Sequence, residues 1–155
     1  MNPTHLLEHI IRPSISAIGL WSREAEVLLL ATAAMESDCG QYVVQNNGPA
    51  LGIFQMEPET HRDIYENYLD YKPSLKKALK LTTIPNWPKL TQLKVNPVYA
   101  TAMARMHYRR VPEALPEVHR RYMWNYYKFY YNTPLGKSDP IRWNEVWDKY
   151  VMEIL

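Results

Sequence analysis

The sequence predicts a mostly α (α+β) fold, on three observations. Between Ala25 and Met35 the only polar residues are Glu26 and Thr32, and a helix that is apolar nearly all round is a buried one. Elsewhere, capping residues stand directly before prolines, as in Asn96-Pro97 and Asp139-Pro140, the usual opening of a helix. Residues 45–57, QNNGPALGIFQME, break this pattern: Asn47-Gly48, Pro49 and Gly52 mark turns and leave room for a small hairpin.

Taken in order, Leu6, Leu7, Ile10 and Ile11 give residues 4–12 the spacing of a short amphipathic helix. Ser22 is placed to cap a helix over 23–37. Glu24 and Glu26 favour its first turn, where the helix dipole is positive, and Gly40 is placed to end it. Pro58 reads as the first residue of a helix over 58–70 that carries Ile64, Tyr68 and Leu69. Residues 71–95 hold Pro73, Pro85 and Pro88 with a basic patch of Lys72, Lys76, Lys77 and Lys80. They read as a short helix and then an irregular connection. The two cap-proline pairs open helices near 97–110 and 140–154, and Pro116 reads as the start of another, near 116–131, rich in tyrosine. With no repeat and no linker, the 155 residues form one domain, 1–155, around one core.

The totals narrow the function. A net charge of +2 is too weak to argue for nucleic acid and suits a polymer bearing carboxylates. Cys39 is the only cysteine, so no internal disulfide forms. The opening MNPTHLLEHIIRP lacks a basic start leading into a long apolar stretch and does not read as a signal peptide. No apolar run approaches the roughly 20 residues that a membrane span needs.

Glu36 ends the most buried helix. A carboxylate at a helix C-terminus faces the negative end of the dipole, and burial beside apolar residues also disfavours its charged form. Both effects raise its pKa, which suits a general acid that must keep its proton near neutral pH. The surrounding residues agree with that role: AAMESDCG and then NNGPALGIFQMEPET resemble the catalytic signature of lytic transglycosylases and goose-type lysozymes. The matching landmarks are Glu36-Ser37, Gly52-Ile53-Phe54-Gln55 and Pro58-Glu59-Thr60. NPVYATAMARMHYRR, residues 96–110, is similar to the helix after the family's hairpin region, and FYYNTPLG places Tyr131-Asn132 and Gly136 where the family has a late Tyr-Asn pair. The chain departs from the pattern in three places. Asn46 and Asn47 stand where a turn serine is usual, Glu57 stands where a hydrophobic residue is usual, and 71–95 looks inserted.

The resemblance implies a lysozyme-like fold with a central buried helix and a small hairpin region. It also implies cleavage of the β-1,4 bond between N-acetylmuramic acid and N-acetylglucosamine in bacterial peptidoglycan, with no metal or organic cofactor. Glu36 would protonate the glycosidic oxygen and then act as base. Ser37, Gln55, Tyr131 and Asn132 would be the substrate-binding residues: Ser37 and Gln55 would position the sugar or shape the cleft, Tyr131 would hydrogen-bond near Glu36 and tune it, and Asn132 would line the site or only hold the turn. Such enzymes manage with one carboxylate, because the substrate's own N-acetyl group and 6-hydroxyl complete the reaction and leave an anhydro sugar. Enzymes of this kind without an export signal occur in phage, so the expected setting is a phage virion or the host cytoplasm, with virion or lysis-system partners.

Three other readings stand beside this one. A hydrolytic muramidase would need a second carboxylate, for which Glu57 is the candidate; Asp38, two residues from Glu36, would point elsewhere on a continuing helix. A glycan-binding or structural virion module would keep the fold without the chemistry, its tryptophans and tyrosines serving as sugar platforms. Trp124, Trp143 and Trp147, however, fall at helical spacings typical of a core. A zinc peptidase is suggested by His5-Leu6-Leu7-Glu8-His9, which fits H-x-x-E-H. The same five residues also read as an amphipathic helix with its polar side outward, and no third ligand stands out.

Overall fold

The computed structural model describes residues 1–45, 47–133 and 136–155, and they are mostly helical, as expected. The first helical run, α1, covers residues 3–17, longer than the expected 4–12. It continues through Pro13 because the turn before it, Leu7–Ile11, is wound wider, and that accommodates a residue with no N–H to donate. Leu6, Leu7, Ile11 and Ile15 are buried, while His5, Glu8 and His9 face solvent. Among the described residues no group of three His, Cys, Asp or Glu side chains is placed to hold a metal ion.

α2 spans Arg23–Ser37, with the Ser22 side chain accepting from the Ala25 N–H. Every residue from Ala25 to Met35 is buried. The helix ends in three consecutive residues with positive φ: Asp38 (48°), Cys39 (56°) and Gly40 (81°). Gly40 is required there on a second count, since a Cβ would lie 2.9 Å from Ile53 Cγ2.

The expected hairpin reduces to two isolated antiparallel bridges, Val44–Leu51 and Leu51–Met56, with no paired strands among the described residues. The α+β element is therefore corrected to a tight double turn. Its ladder cannot lengthen because Pro49 interrupts one side, while Gly52 (φ 82°) and Gln55 (φ 49°) turn the chain back within a few residues. Helices α3 (Pro58–Asn67), α4 (Pro73–Leu79), α5 (Lys89–Val95) and α6 (Pro97–Arg109) come next. α5 replaces part of the expected irregular connection: Pro88 stands at its N-cap, so the proline that suggested a break instead precedes a helix.

α7 covers residues 120–132 and is capped by His119, whose Nδ1 accepts from the Arg121 N–H. Pro116 therefore lies in the connection before the helix instead of opening it. α8 covers residues 140–151, capped by Asp139 and continued by the short turn Met152–Ile154.

α2 sits in the middle of one apolar cluster, against α1, α7 and α8; Trp143 and Trp147 are buried in it and Trp124 packs against it. Ile64, Leu69, Leu79 and Leu93 form a second cluster. α6 joins the two, giving Ala100, Ala104 and Tyr108 to the first and Tyr99, Met103 and Met106 to the second. With two of its faces buried, α6 fixes α2 relative to the double turn, and the space left between them is a cleft.

Candidate functional site

The cleft has a volume of about 880 Å³ and is lined by the end of α2, the double turn, the start of α3, the end of α6 and the loop after α7. Glu36 is half-buried at its floor. Burial pushes its carboxyl up to about 7, against the opposing influence of one hydrogen bond and of the Arg142 charge. The hydrogen bond comes from Tyr127, whose hydroxyl donates to Oε2 at 2.5 Å and lies 2.9 Å from Ser138 Oγ. An oxygen that already accepts a hydroxyl proton is the carbonyl-like one, so the acid proton belongs on Oε1.

The Gly52-Ile53-Phe54-Gln55 stretch assigns one task to each residue. A Cβ on Gly52 would lie 1.9 Å from the Leu93 carbonyl oxygen, so only glycine lets the double turn lie against α5. Ile53 is buried, and its carbonyl accepts from the Ser37 hydroxyl at 2.7 Å. Phe54 enters the core, and its carbonyl accepts from the Tyr131 hydroxyl at 2.5 Å. Gln55 faces the cleft, with its amide nitrogen donating to the Gly52 carbonyl at 2.9 Å. The double turn is thus fastened to α2 and α7 at both of its buried residues.

One expected role is narrowed and another corrected. Ser37 is fully buried and does not line the cleft. Its hydroxyl donates to the Ile53 carbonyl and accepts from the Gly40 N–H at 2.9 Å, so it shapes the cleft from behind and cannot contact a sugar. Tyr131 lines the cleft, but its hydroxyl is committed to Phe54; the tyrosine that tunes Glu36 is Tyr127. Asn132 lines the cleft, and its Oδ1 accepts from Lys128 Nζ at 2.9 Å; the same ammonium donates to the Gly136 and Ser138 carbonyls at 2.7 and 3.0 Å, which ties Asn132 to the loop after α7. Asn47 adopts φ 59°, a turn conformation asparagine tolerates, and Asn46 lies outside the described residues.

Asp38 leaves the helix as its left-handed cap. Its carboxylate accepts from Tyr42 at 2.5 Å, Arg142 at 3.2 Å and Tyr150 at 3.4 Å, and Asp38 itself does not line the cleft. Glu57, by contrast, is exposed and lines the cleft beside Thr60.

Residues that the sequence pattern did not single out complete the walls. Half-exposed Tyr42 presents an aromatic surface to the cleft, and Lys137 a cation. His107 lies under Tyr131, ring centroids 4.6 Å apart. Burial and the neighbouring Arg110 charge push its imidazole down to about 4, so at neutral pH it adds no charge beside Glu36. His107 falls in the last turn of α6, where its spacing from Met103 and Ala104 was the available signal.

The arrangement offers a carboxyl that is partly protonated near neutral pH, in a cleft with aromatic and polar walls, a group able to give a proton to a leaving oxygen. In comparisons with protein-family models, curated proteins and solved structures, nothing matches the chain.

Proposed function

We propose that the protein cleaves the β-1,4 bond between N-acetylmuramic acid and N-acetylglucosamine in bacterial peptidoglycan, as a lytic transglycosylase of lysozyme-like fold. The observation that carries this reading is Glu36, a single carboxyl pushed up to about 7 on the floor of a cleft. In the reaction, the Oε1 proton passes to the glycosidic oxygen as the C1–O bond breaks. The carboxylate so formed, held by Tyr127, takes the proton of the muramyl 6-hydroxyl as that oxygen bonds to C1. No water is consumed, and the product carries a 1,6-anhydro ring. The intramolecular hydroxyl is favoured because it is already held at high effective concentration, while Asp38 does not line the cleft and its carboxylate is occupied by Tyr42 and Arg142. Lys137 and the mild net positive charge suit the carboxylates of the wall peptide. A phage virion or lysis system is the proposed setting.

Glu57 favours a second reading, since among the described residues it alone places another carboxylate on the cleft wall. If it activates water, the protein is a two-acid hydrolytic muramidase. Mass spectrometry of digested peptidoglycan separates the two. Anhydro-muramyl ends that persist in Glu57→Gln support the transglycosylase; reducing ends lost in that variant establish the muramidase. A folded protein that binds the wall and releases no fragments is the glycan-binding module.

A further inference from the structure

A second cavity, of about 430 Å³, lies between α4 and α5 and shares no residue with the Glu36 cleft. Its position in the chain is electrostatically unusual. Residues 71–112 carry nine of the eighteen Lys and Arg and none of the sixteen Asp and Glu, although the whole chain is nearly balanced. Three of these cations, Lys76, Lys80 and Lys89, line the cavity. Lys76 pairs with Asp70 across the surface at 2.6 Å. Lys80 and Lys89 form no ion pair among the described residues, and Lys89 Nζ is held 4.5 Å above the Tyr65 ring centroid.

The apolar wall is equally specific. Trp87 is half-exposed at the cavity, on the loop that joins α4 to α5. The loop backbone is held by a buried side chain. The side chain of buried Gln92 accepts from the Ile84 N–H at 2.7 Å and donates to the carbonyls of Ile84 and Trp87, both at 3.0 Å. Asn86 turns the chain with φ 68° just before the tryptophan. A buried amide that fixes the backbone on either side of the turn, and so places an exposed indole beside two ammonium groups that form no ion pair among the described residues, is pre-organisation for a ligand.

We propose that this cavity binds an acidic sugar, with the pyranose face stacked on Trp87 and its carboxylate or phosphate held by Lys80 and Lys89. A sugar is favoured over a nucleobase because one half-exposed indole and an open apolar wall offer a single stacking face, not a slot. The proposal does not depend on the chemistry of Glu36, and either can fail without the other.

The test is titration of the ¹⁵N-labelled full chain, following the Trp87 indole N–H resonance, assigned by its absence in Trp87→Ala. N-acetylmuramic acid and N-acetylglucosamine 6-phosphate, representing the carboxylate and phosphate sources, should shift that resonance saturably. Neutral N-acetylglucosamine should bind more weakly by roughly fivefold or more, and Lys80→Gln with Lys89→Gln should remove that difference. Both lysines and Trp87 are exposed, so these variants leave the core untouched. Whichever acidic sugar binds more tightly identifies the source. No shift with either acidic sugar, equal binding of the neutral sugar, or tighter binding of adenosine monophosphate would overturn the proposal.

Discussion

α2 carries two glutamates in buried surroundings, one near each end, and they are in opposite states. Glu26, in the first turn, has a buried side chain that receives four hydrogen bonds: two from Arg12 at 2.7 and 3.0 Å, one from Trp21 at 2.8 Å and one from Arg23 at 2.8 Å. Burial pushes its pKa up, but these donors outweigh it and hold the carboxyl at about 2. Glu36, in the last turn, receives one hydrogen bond, from Tyr127, and burial prevails, pushing it up to about 7. Burial alone therefore does not decide whether a carboxyl keeps its proton. The deciding factors are the number of donors supplied and their charge, two arginines and an indole against one hydroxyl; the helix dipole acts in the same sense.

The largest expected effect comes from removing the acid at the cleft. Glu36→Gln keeps the size and the Tyr127 contact but has no transferable proton, so activity should fall by about 10²–10⁴-fold or more in a wall-clearing assay. Wild-type-like clearing by the folded variant would eliminate the mechanism.

The same exchange at the other end should damage the fold instead. Glu26→Gln leaves two arginines with a neutral partner, at an expected cost of about 2–4 kcal/mol by denaturant unfolding; their partial exposure keeps this below the upper range for buried pairs. Because the folded pKa lies below the ordinary 4.5, the stability that Glu26 contributes is present above pH 4.5 and lost as pH falls towards 2. Wild-type protein should lose this stability on acidification, and Glu26→Gln should lack that acid-dependent loss.

Glu36 carries the opposite sign. Its raised pKa makes the folded protein progressively less stable as pH rises from 4.5 to about 7. Glu36→Gln should therefore match wild type at pH 4 and exceed it by about 1–3 kcal/mol at pH 8. A variant that is inactive yet more stable at pH 8 is the pattern expected where a catalytic group is held in an unfavourable state. Equal stability at pH 8 would show that the carboxyl is not held up.

The smallest effect concerns the single donor to Glu36. Activity should decline above about pH 7 as Glu36 loses its proton. Tyr127→Phe removes the hydroxyl that donates to its carboxylate and should move that decline upward by roughly 0.5–1 pH, with a modest loss of rate. Tyr131→Phe should leave it in place, since that hydroxyl serves Phe54.

Much of this site was legible in the sequence, and the rest was hidden for identifiable reasons. The apolar run and its Ser22 cap set the bounds of α2 and put Glu36 in its last turn, because cap chemistry and periodicity are local. Gly52 and Gln55 were legible as a motif, though the reason for the glycine, the Leu93 carbonyl, is a tertiary contact. Tyr127 was missed because six tyrosines crowd residues 122–150, and the wider turn Lys128–Asn132 shifts the helical phase between it and Tyr131. Ser37 was taken for a cleft residue because no local pattern shows that its hydroxyl turns inward to Ile53. The buried cluster around Glu26 was read as a helix-dipole preference alone, since Arg12 and Trp21 meet it only in the fold.

The two glutamates can be set against each other directly, by following their side-chain carboxyl carbons with ¹³C NMR as a function of pH in the free protein. Glu36, assigned through Glu36→Gln, should titrate near 7, and Glu26, assigned through Glu26→Gln, should remain ionised down to about 2. A Glu36 carbon that titrates at about 4–5, the ordinary range for an exposed glutamate, would contradict the claim that the cleft holds a protonated acid ready for transfer.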